Sequence, residues 1–412
     1  MFRYVAIFAG LVTTVGITLG VTNVPAFPQS AAGASAAGHY LFAWTGDEDK
    51  KGMDFLAVID ADPASPSYGK LATTLVTDQQ TKLVHHTEYV MPASGMLFAN
   101  DHYAGRTFIF DVRDALHPKV VTSFTDMDGY MHPHSYLRLP NGHVLAAFQH
   151  KHHGDSESQT GQSGGLVEID DQGKVIRSAS SADPAFPDAL LTPYSLVVMP
   201  DIDRVVSTNS SMHDENIFNG VTYQVWRLSD LKLLKTENLD VGANHYGQIS
   251  PEEPRLGADG AVYVQTLGCG IERITDIATD APTSKLVWTF PGSFCGVPTI
   301  VGHFLIQSVP EMHGLIVLDI SNGAKPVEVS RLKLSERYFP HWTSWDAKTH
   351  RLVVTGNENR LFLLTLDETT GALAIDTAFQ DENGKPGFDF ANRAWPHGWK
   401  GSGAPHGVVF SR

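Results

Sequence analysis

Six short segments of this chain set a polar side chain at the head of a strand-like run, most of them directly behind a proline. They read "VHHTEYV" with His85 and His86, "PHSYL" with His134, "PYSLV" with Tyr194, "VPTIV" with Thr299, "PHWTS" with His341 and "PHGVV" with His406. Imidazole is a good ligand for Cu, Zn, Fe or Ni, so three or four histidines gathered from such positions would make a transition-metal site. The spacing does not select the metal. Nor does it place His85 and His86 on one side: neighbours on an extended strand point to opposite faces unless the strand is bulged. The alternative is that these histidines are polar residues lining a channel and holding turns and waters together. Glu88, Glu252 and Glu253, also at strand starts, are placed to orient an imidazole or take a proton.

Histidines so far apart in sequence need a fold that brings them together. From about residue 39 the sequence alternates short β-rich runs with Gly, Pro, Asn and Asp turns, and it shows no long run of helical period. A self-similar unit of about 40 to 48 residues recurs, the period of a propeller blade. "SYLRLPNGHVLAAFQ" with "GGLVEIDDQGKVIRSAS" is one such unit, and "YSLVVMPDIDRVVSTNS" with "YQVWRLSDLKLLKTENL" is the next. Blades beginning near Tyr40, His86, His134, Tyr194, Glu252, Pro298 and His341 predict an all-β, seven-bladed β-propeller over 37–412. The last strand, "HGVVFS", is expected to pair beside the N-terminal blade and close the ring. The first strand of each blade lines the central channel, so the recurrent polar position sits at one mouth of it.

Residues 1–36 carry one charge, Arg3, then an apolar run to about Val21 and a small-residue linker. They read as a signal peptide cleaved after Ala26 or Ala36, which predicts a periplasmic or otherwise secreted protein with no stable membrane insertion once it is removed; the alternative is an uncleaved membrane anchor, for which the apolar run has several Gly and Thr and falls short of the roughly 20 strongly apolar residues of a spanning helix. The chain has a net charge of −15 and no basic stripe, which argues against nucleic acid as a partner. Cys269 and Cys295 are a disulfide pair or two buried thiols. No Gly-x-Ser-x-Gly elbow, phosphate loop or His-Glu-x-x-His occurs, so hydrolase and nucleotide chemistry lack their usual parts. His150, His152 and His153 read as a solvated loop; His313, between the two hairpins of the sixth blade, is a weaker candidate for the same channel mouth, and His132 and His397 lie near the candidate site in sequence with no fixed direction.

"DFLAVIDADPASPSYGKL" followed by "LVHHTEYV" resembles the selenium-binding protein and methanethiol oxidase family, which carries a similar strand, turn and paired His-His. "PHSYLRLPNGHVLAAF", "GQSGGLVEID", "MHGLIVLDIS" and "APHGVV" resemble further family segments in the same order. The resemblance implies a seven-bladed propeller and copper-dependent oxidation of methanethiol by oxygen and water to formaldehyde, hydrogen sulfide and hydrogen peroxide. It implies copper ligands at His85, His86, His134 and His406. A small thiol and oxygen are then the expected partners, with His341, Glu88 and Tyr194 as candidates for catalytic proton handling. Two departures stand out: "YLFAWTGDEDKKG" replaces a cysteine-bearing N-terminal segment, and "TEYV" replaces a Trp-Asn pattern after His-His. The competing readings are a non-catalytic propeller binding a metal ion or a protein partner, and a zinc- or calcium-dependent lactonase-like propeller. The latter would want carboxylate and Asn ligands where this chain has histidines.

Overall fold

The alternation of apolar runs and turn residues folds as sequential antiparallel hairpins. In "LPNGH" the turn closes by a 2.9 Å bond from the Gly142 N–H to the Leu139 carbonyl, with Gly142 at φ +87°. A Cβ there would meet open space, so conformation alone calls for glycine. Middle strands such as Val144–Lys151 and Gln162–Ile169 are buried on both faces, whereas the outer strand Val327–Lys333 alternates exposed and half-buried positions. This is the pattern of sheets stacked face to face, with only their outer edges wet.

The computed structural model describes residues 38–151, 162–212, 220–240 and 249–412. The expected signal segment, and His152 and His153, lie outside them. Seven antiparallel sheets follow one another in chain order, the seven blades of a β-propeller. Seven apolar clusters fill the seven gaps between neighbouring blades, the last joining blade 7 (Trp342, Val353, Leu363) to blade 1 (Leu41, Phe55, Ala57). Closure is made by the C-terminal strand Gly403–Phe410, which pairs with Tyr40–Asp47 from Leu41↔Phe410 to Asp47↔Gly403. It takes the channel-lining place in blade 1, so Tyr40–Asp47 is that blade's second strand. Cys269 and Cys295 form a disulfide tying a hairpin of blade 5 to the segment entering blade 6. Among the described residues no helix is long and apolar enough to cross a membrane.

The inner strands share an irregularity that positions the site. In six of the seven, three steps along the inner strand match two along its neighbour, a one-residue bulge. The residues inside the bulges are His406-Gly407, His134-Ser135, Tyr194-Ser195, Glu252-Glu253, His341-Trp342 and His85-His86. A bulge takes main-chain groups out of the ladder, and side chains opposite replace the lost partners. The N–H of His86 donates to Asn100 Oδ1 at 2.8 Å, that of Ser195 to Thr208 Oγ1 at 3.3 Å, and that of Glu253 to Gln265 Oε1 at 3.4 Å.

One buried carboxyl outside the histidine cluster sets a pH dependence of stability. Asp54 is fully buried, accepts a 2.7 Å bond from Thr81 Oγ1, and is pushed up to about 8, by burial first and by the Asp101 charge second. Its folded value lies above its unfolded one, so its contribution is full below about pH 4 and is lost as pH rises through about 8. Asp54→Asn removes the charge and keeps the shape. It is expected to leave thermal stability near pH 4 little changed and to raise it at pH 8 by on the order of 1–3 kcal/mol. An equal shift at both pH values in thermal unfolding would contradict this assignment.

Candidate metal centre

The short strand Val84–Thr87 opens blade 2, and its bulge spans His85 and His86. The bulge turns both side chains the same way: the two rings stack with centroids 4.1 Å apart and planes 11° from parallel. Tyr130–Arg138 brings His134 from blade 3, with its ring 4.6 Å from His85 and 4.4 Å from His86. Gly403–Phe410 brings His406 from blade 1, 4.3 Å from His85 and 5.6 Å from His86. Gly407 permits that approach, because a Cβ on it would lie 2.4 Å from the Thr87 nitrogen and 2.9 Å from the His85 carbonyl oxygen. Any larger residue would push the closing strand, and His406 with it, away from blade 2.

The donor set fits a metal ion. Nitrogens of His85, His86 and His134 all lie within 4.8 Å of one another. His85 Nε2 and His134 Nε2 are 2.8 Å apart. With metal–nitrogen bonds of about 2.0 Å, two ligands at angles between square and tetrahedral lie roughly 2.8–3.3 Å apart. His86 Nε2 and His406 Nδ1 are buried without a hydrogen-bond partner, a cost of about 1–3 kcal/mol for each orphaned group that coordination would relieve. Burial, and next the neighbouring imidazoles, hold His85, His86 and His406 well below the ordinary histidine value. The rings are therefore neutral at neutral pH, the state in which imidazole ligates.

A polar shell surrounds the rings. Ser135 Oγ lies 3.1 Å from His86 Nδ1 and 3.0 Å from His134 Nδ1. Glu253 Oε1 lies 3.6 Å from His86 Nδ1, while Glu253 Oε2 accepts from Ser195 Oγ at 2.8 Å, from Arg255 at 3.1 Å and from the Tyr89 hydroxyl. The Arg255 guanidinium covers the Tyr89 ring at 4.0 Å, and Tyr89 stacks on Trp342 at 4.6 Å. Farther along the channel, Tyr89 and Arg255 border a cavity of about 450 Å³ also lined by Ile300, Trp345 and Phe410. Tyr194 packs on His134 with centroids 3.7 Å apart, and its phenol, raised by burial and then by the Glu252 charge, bonds to Glu252. Burial pushes Glu252 up to about 8, so it holds a proton at neutral pH.

No protein-family model matches the chain. A methanethiol oxidase of Hyphomicrobium is 31% identical over 146 residues, a match spanning 33% of this chain and 31% of that protein. A hypothetical selenium-binding protein from Sulfolobus tokodaii superposes with a TM-score of 0.72 at 15% identity, covering 90% of this chain and 93% of the other. The chain is a remote relative of the methanethiol oxidases and selenium-binding proteins. The periplasmic gluconolactonase of Pseudomonas aeruginosa shares the fold at a TM-score of 0.58 and 13% identity, over 91% of this chain and 99% of its own. The matched part is about a third of the length of the Hyphomicrobium oxidase.

Of the residues singled out in the sequence of this remote relative, the structure gathers His85, His86, His134 and His406 at one point. His341 stands beside them, 4.7 Å from His406 and 6.4 Å from His85, and burial pushes it down to about 4. Tyr194 is at the centre. Glu88 is not brought to it: its oxygens accept from Arg138 Nε at 2.7 Å, from Arg138 Nη2 and from the Phe98 N–H, in a buried ion pair linking blades 2 and 3. His313 bonds to the Tyr338 carbonyl and His397 to Thr74, neither near the four rings. Sequence reasoning missed Tyr89, Arg255, Ser135, Asn100 and Gly407. Only Gly407 left a signal, as the small residue following Pro-His.

Two outcomes follow from this geometry. Because the imidazoles are held neutral, metal retention against a pH-independent competitor is expected to stay flat from pH 8 down to about 6, where ordinary histidines would already be losing metal to protons. Equilibrium dialysis followed by elemental analysis measures it, and a steep fall near pH 6.5 would count against the neutral set. Glu253→Gln removes the carboxylate behind His86 and is expected to weaken metal affinity by about 10- to 100-fold, read by chelator competition. An unchanged affinity would leave Glu253 with only its Ser195, Tyr89 and Arg255 contacts.

Proposed function

We propose that this protein is an exported copper-dependent oxidase of a small thiol, methanethiol in the first instance. The observation that carries the reading is the convergence of four imidazoles, those of His85, His86, His134 and His406, from three blades at one point of the channel. Such a set suits zinc as well as copper. Copper is taken from what the family resemblance of the sequence motifs implies. Export is supported by the leader-like composition of residues 1–36 and by the Cys269–Cys295 disulfide, since disulfides persist in oxidising compartments.

His85, His86, His134 and His406 would hold the ion. When bound, copper would take the sulfur as a thiolate and mediate electron transfer to oxygen. The protein's own groups do the rest. Ser135 and Glu253 fix the direction of the His86 ring through its Nδ1. Tyr194 closes one side of His134 against water, and Glu252 behind it keeps a proton in reserve. His341, neutral beside His406, can accept one proton and return it. In the overall reaction one methanethiol, one dioxygen and one water become one formaldehyde, one hydrogen sulfide and one hydrogen peroxide, so the thiol carbon is oxidised and oxygen is reduced.

The test is the metal content of the mature protein made in a periplasm with copper supplied, together with methanethiol-dependent oxygen uptake. Expected are about one copper per chain and turnover in the parent, with both lost in a His134→Ala, His406→Ala double variant. Copper without oxygen uptake for methanethiol or other small thiols would favour the non-catalytic binding reading. Copper absent, or equal in both proteins, would overturn the site.

A further inference from the structure

A second set of histidines leads away from the centre. His102 lies with its ring 5.3 Å from His134 and 5.6 Å from His85. His132 is 6.1 Å from His102, and His150 is 5.9 Å from His132. All three are buried, at 0, 8 and 4% exposure. His132 and His150 lie on the paired strands Tyr130–Arg138 and Val144–Lys151 and His102 in the turn after Met96–Asp101, and none occupies the bulge position that recurs from blade to blade.

His132 is held in place at a cost. It adopts φ +55°, a left-handed conformation that a non-glycine residue rarely takes, and it does so directly before Pro133. Its Nδ1 lies 3.4 Å from the His102 carbonyl oxygen, and a Cβ on Gly105 would come equally close to that nitrogen. Strain of this kind persists where the surroundings impose it, and here its effect is to set the His132 ring within one step of both His102 and His150.

The direction of the line follows from the main chain. The His102 N–H donates to the Leu83 carbonyl at 2.8 Å, upstream of His85, and His132 lies upstream of His134. The line therefore runs toward the mouth at which the inner strands begin. The cavity bordered by Tyr89 and Arg255 lies downstream, toward the other mouth.

The spacing has a chemical meaning. With a metal–nitrogen bond of about 2.0 Å, two imidazoles sharing one ion have ring centroids roughly 4.5–6 Å apart, the longer value when the ligands face each other across it. Each step of the line is close to that range, so small ring movements let an ion stay ligated while it changes hands. We propose that His102, His132 and His150 form a relay that passes a soft metal ion, monovalent copper in the first instance, between this mouth and the four-histidine centre. The relay rests on the metal reading of that centre and adds to it a route for filling, separate from the cavity at the far end.

Loading kinetics test it. Metal-free full-length mature protein is mixed with Cu(I) held by bicinchoninate, and transfer is followed by the loss of the chelator's colour. His132→Asn keeps a residue that tolerates the left-handed backbone, and His150→Gln is an independent probe on another strand. Each is expected to load several-fold more slowly than the parent while reaching the same final copper content and affinity. His117→Gln, at an exposed histidine, is expected to load at the parental rate. Parental loading rates in both variants, with thermal stability matched to the parent, would overturn the relay and leave the centre intact. A parent that takes up no copper would overturn the centre and the relay together, and a variant that loads slowly to a lower final content would assign its histidine to the site itself.

Discussion

An extended strand sends adjacent side chains to opposite faces, and the centre of this molecule exists because one extra residue breaks that alternation at the same place in six inner strands. At His85-His86 the consequence is direct, since a regular strand would spend one of the two imidazoles on the neighbouring blade. The same break lets Glu252 reach Tyr194 while Glu253 reaches His86. The fold repeats a geometric device, and the sequence varies what the device presents. In three of the blades the donors freed by the irregularity are met by Asn100, Thr208 and Gln265, so there the bulge is built into the second strand as well as the inner one.

Electrostatics divides the channel into layers. Uncharged imidazoles lie together where burial forbids their protonation. Next along the axis comes Glu253 with Arg255, an ion pair whose charges are also met by Tyr89 and Ser195. Beyond that lies the cavity bordered by Tyr89 and Arg255. A cation at the imidazole layer would sit beside a carboxylate already anchored on its far side, which keeps that carboxylate from swinging in as a ligand itself.

Much of this could be read from the residues alone, because repetition carries information that a single motif lacks. The proline followed by a polar residue marked the inner strands, and with the 40-odd-residue period it located the ring and set five histidines at one mouth of it, while the choice of four as ligands came from the family resemblance. The failures have a common cause. Glu88 lies two residues beyond His86 and looked close in sequence, but past the bulge the strand resumes its alternation and Glu88 turns toward Arg138. Ser135, Tyr89 and Arg255 reach the centre through the phase of strands whose bulges cannot be seen in a sequence. His102 belongs to the end of a second strand, outside the repeat that made the others visible. Whether Cys269 and Cys295 pair was equally undecidable, since only the fold brings their Cα atoms to 4.9 Å.

His406 rides on the strand that closes the ring, the last of the propeller's strands to be synthesised. Until that strand docks against Tyr40–Asp47, blade 1 lacks its inner edge and the cluster lacks one of its imidazoles. The centre is therefore assembled only once every blade has been made, and a chain cut short before Gly403 would lose ring closure and one ligand in a single event. An ion bound there would act as a clasp, favouring the closed circle over the open one by its own binding energy and making occupancy a mark of completed synthesis.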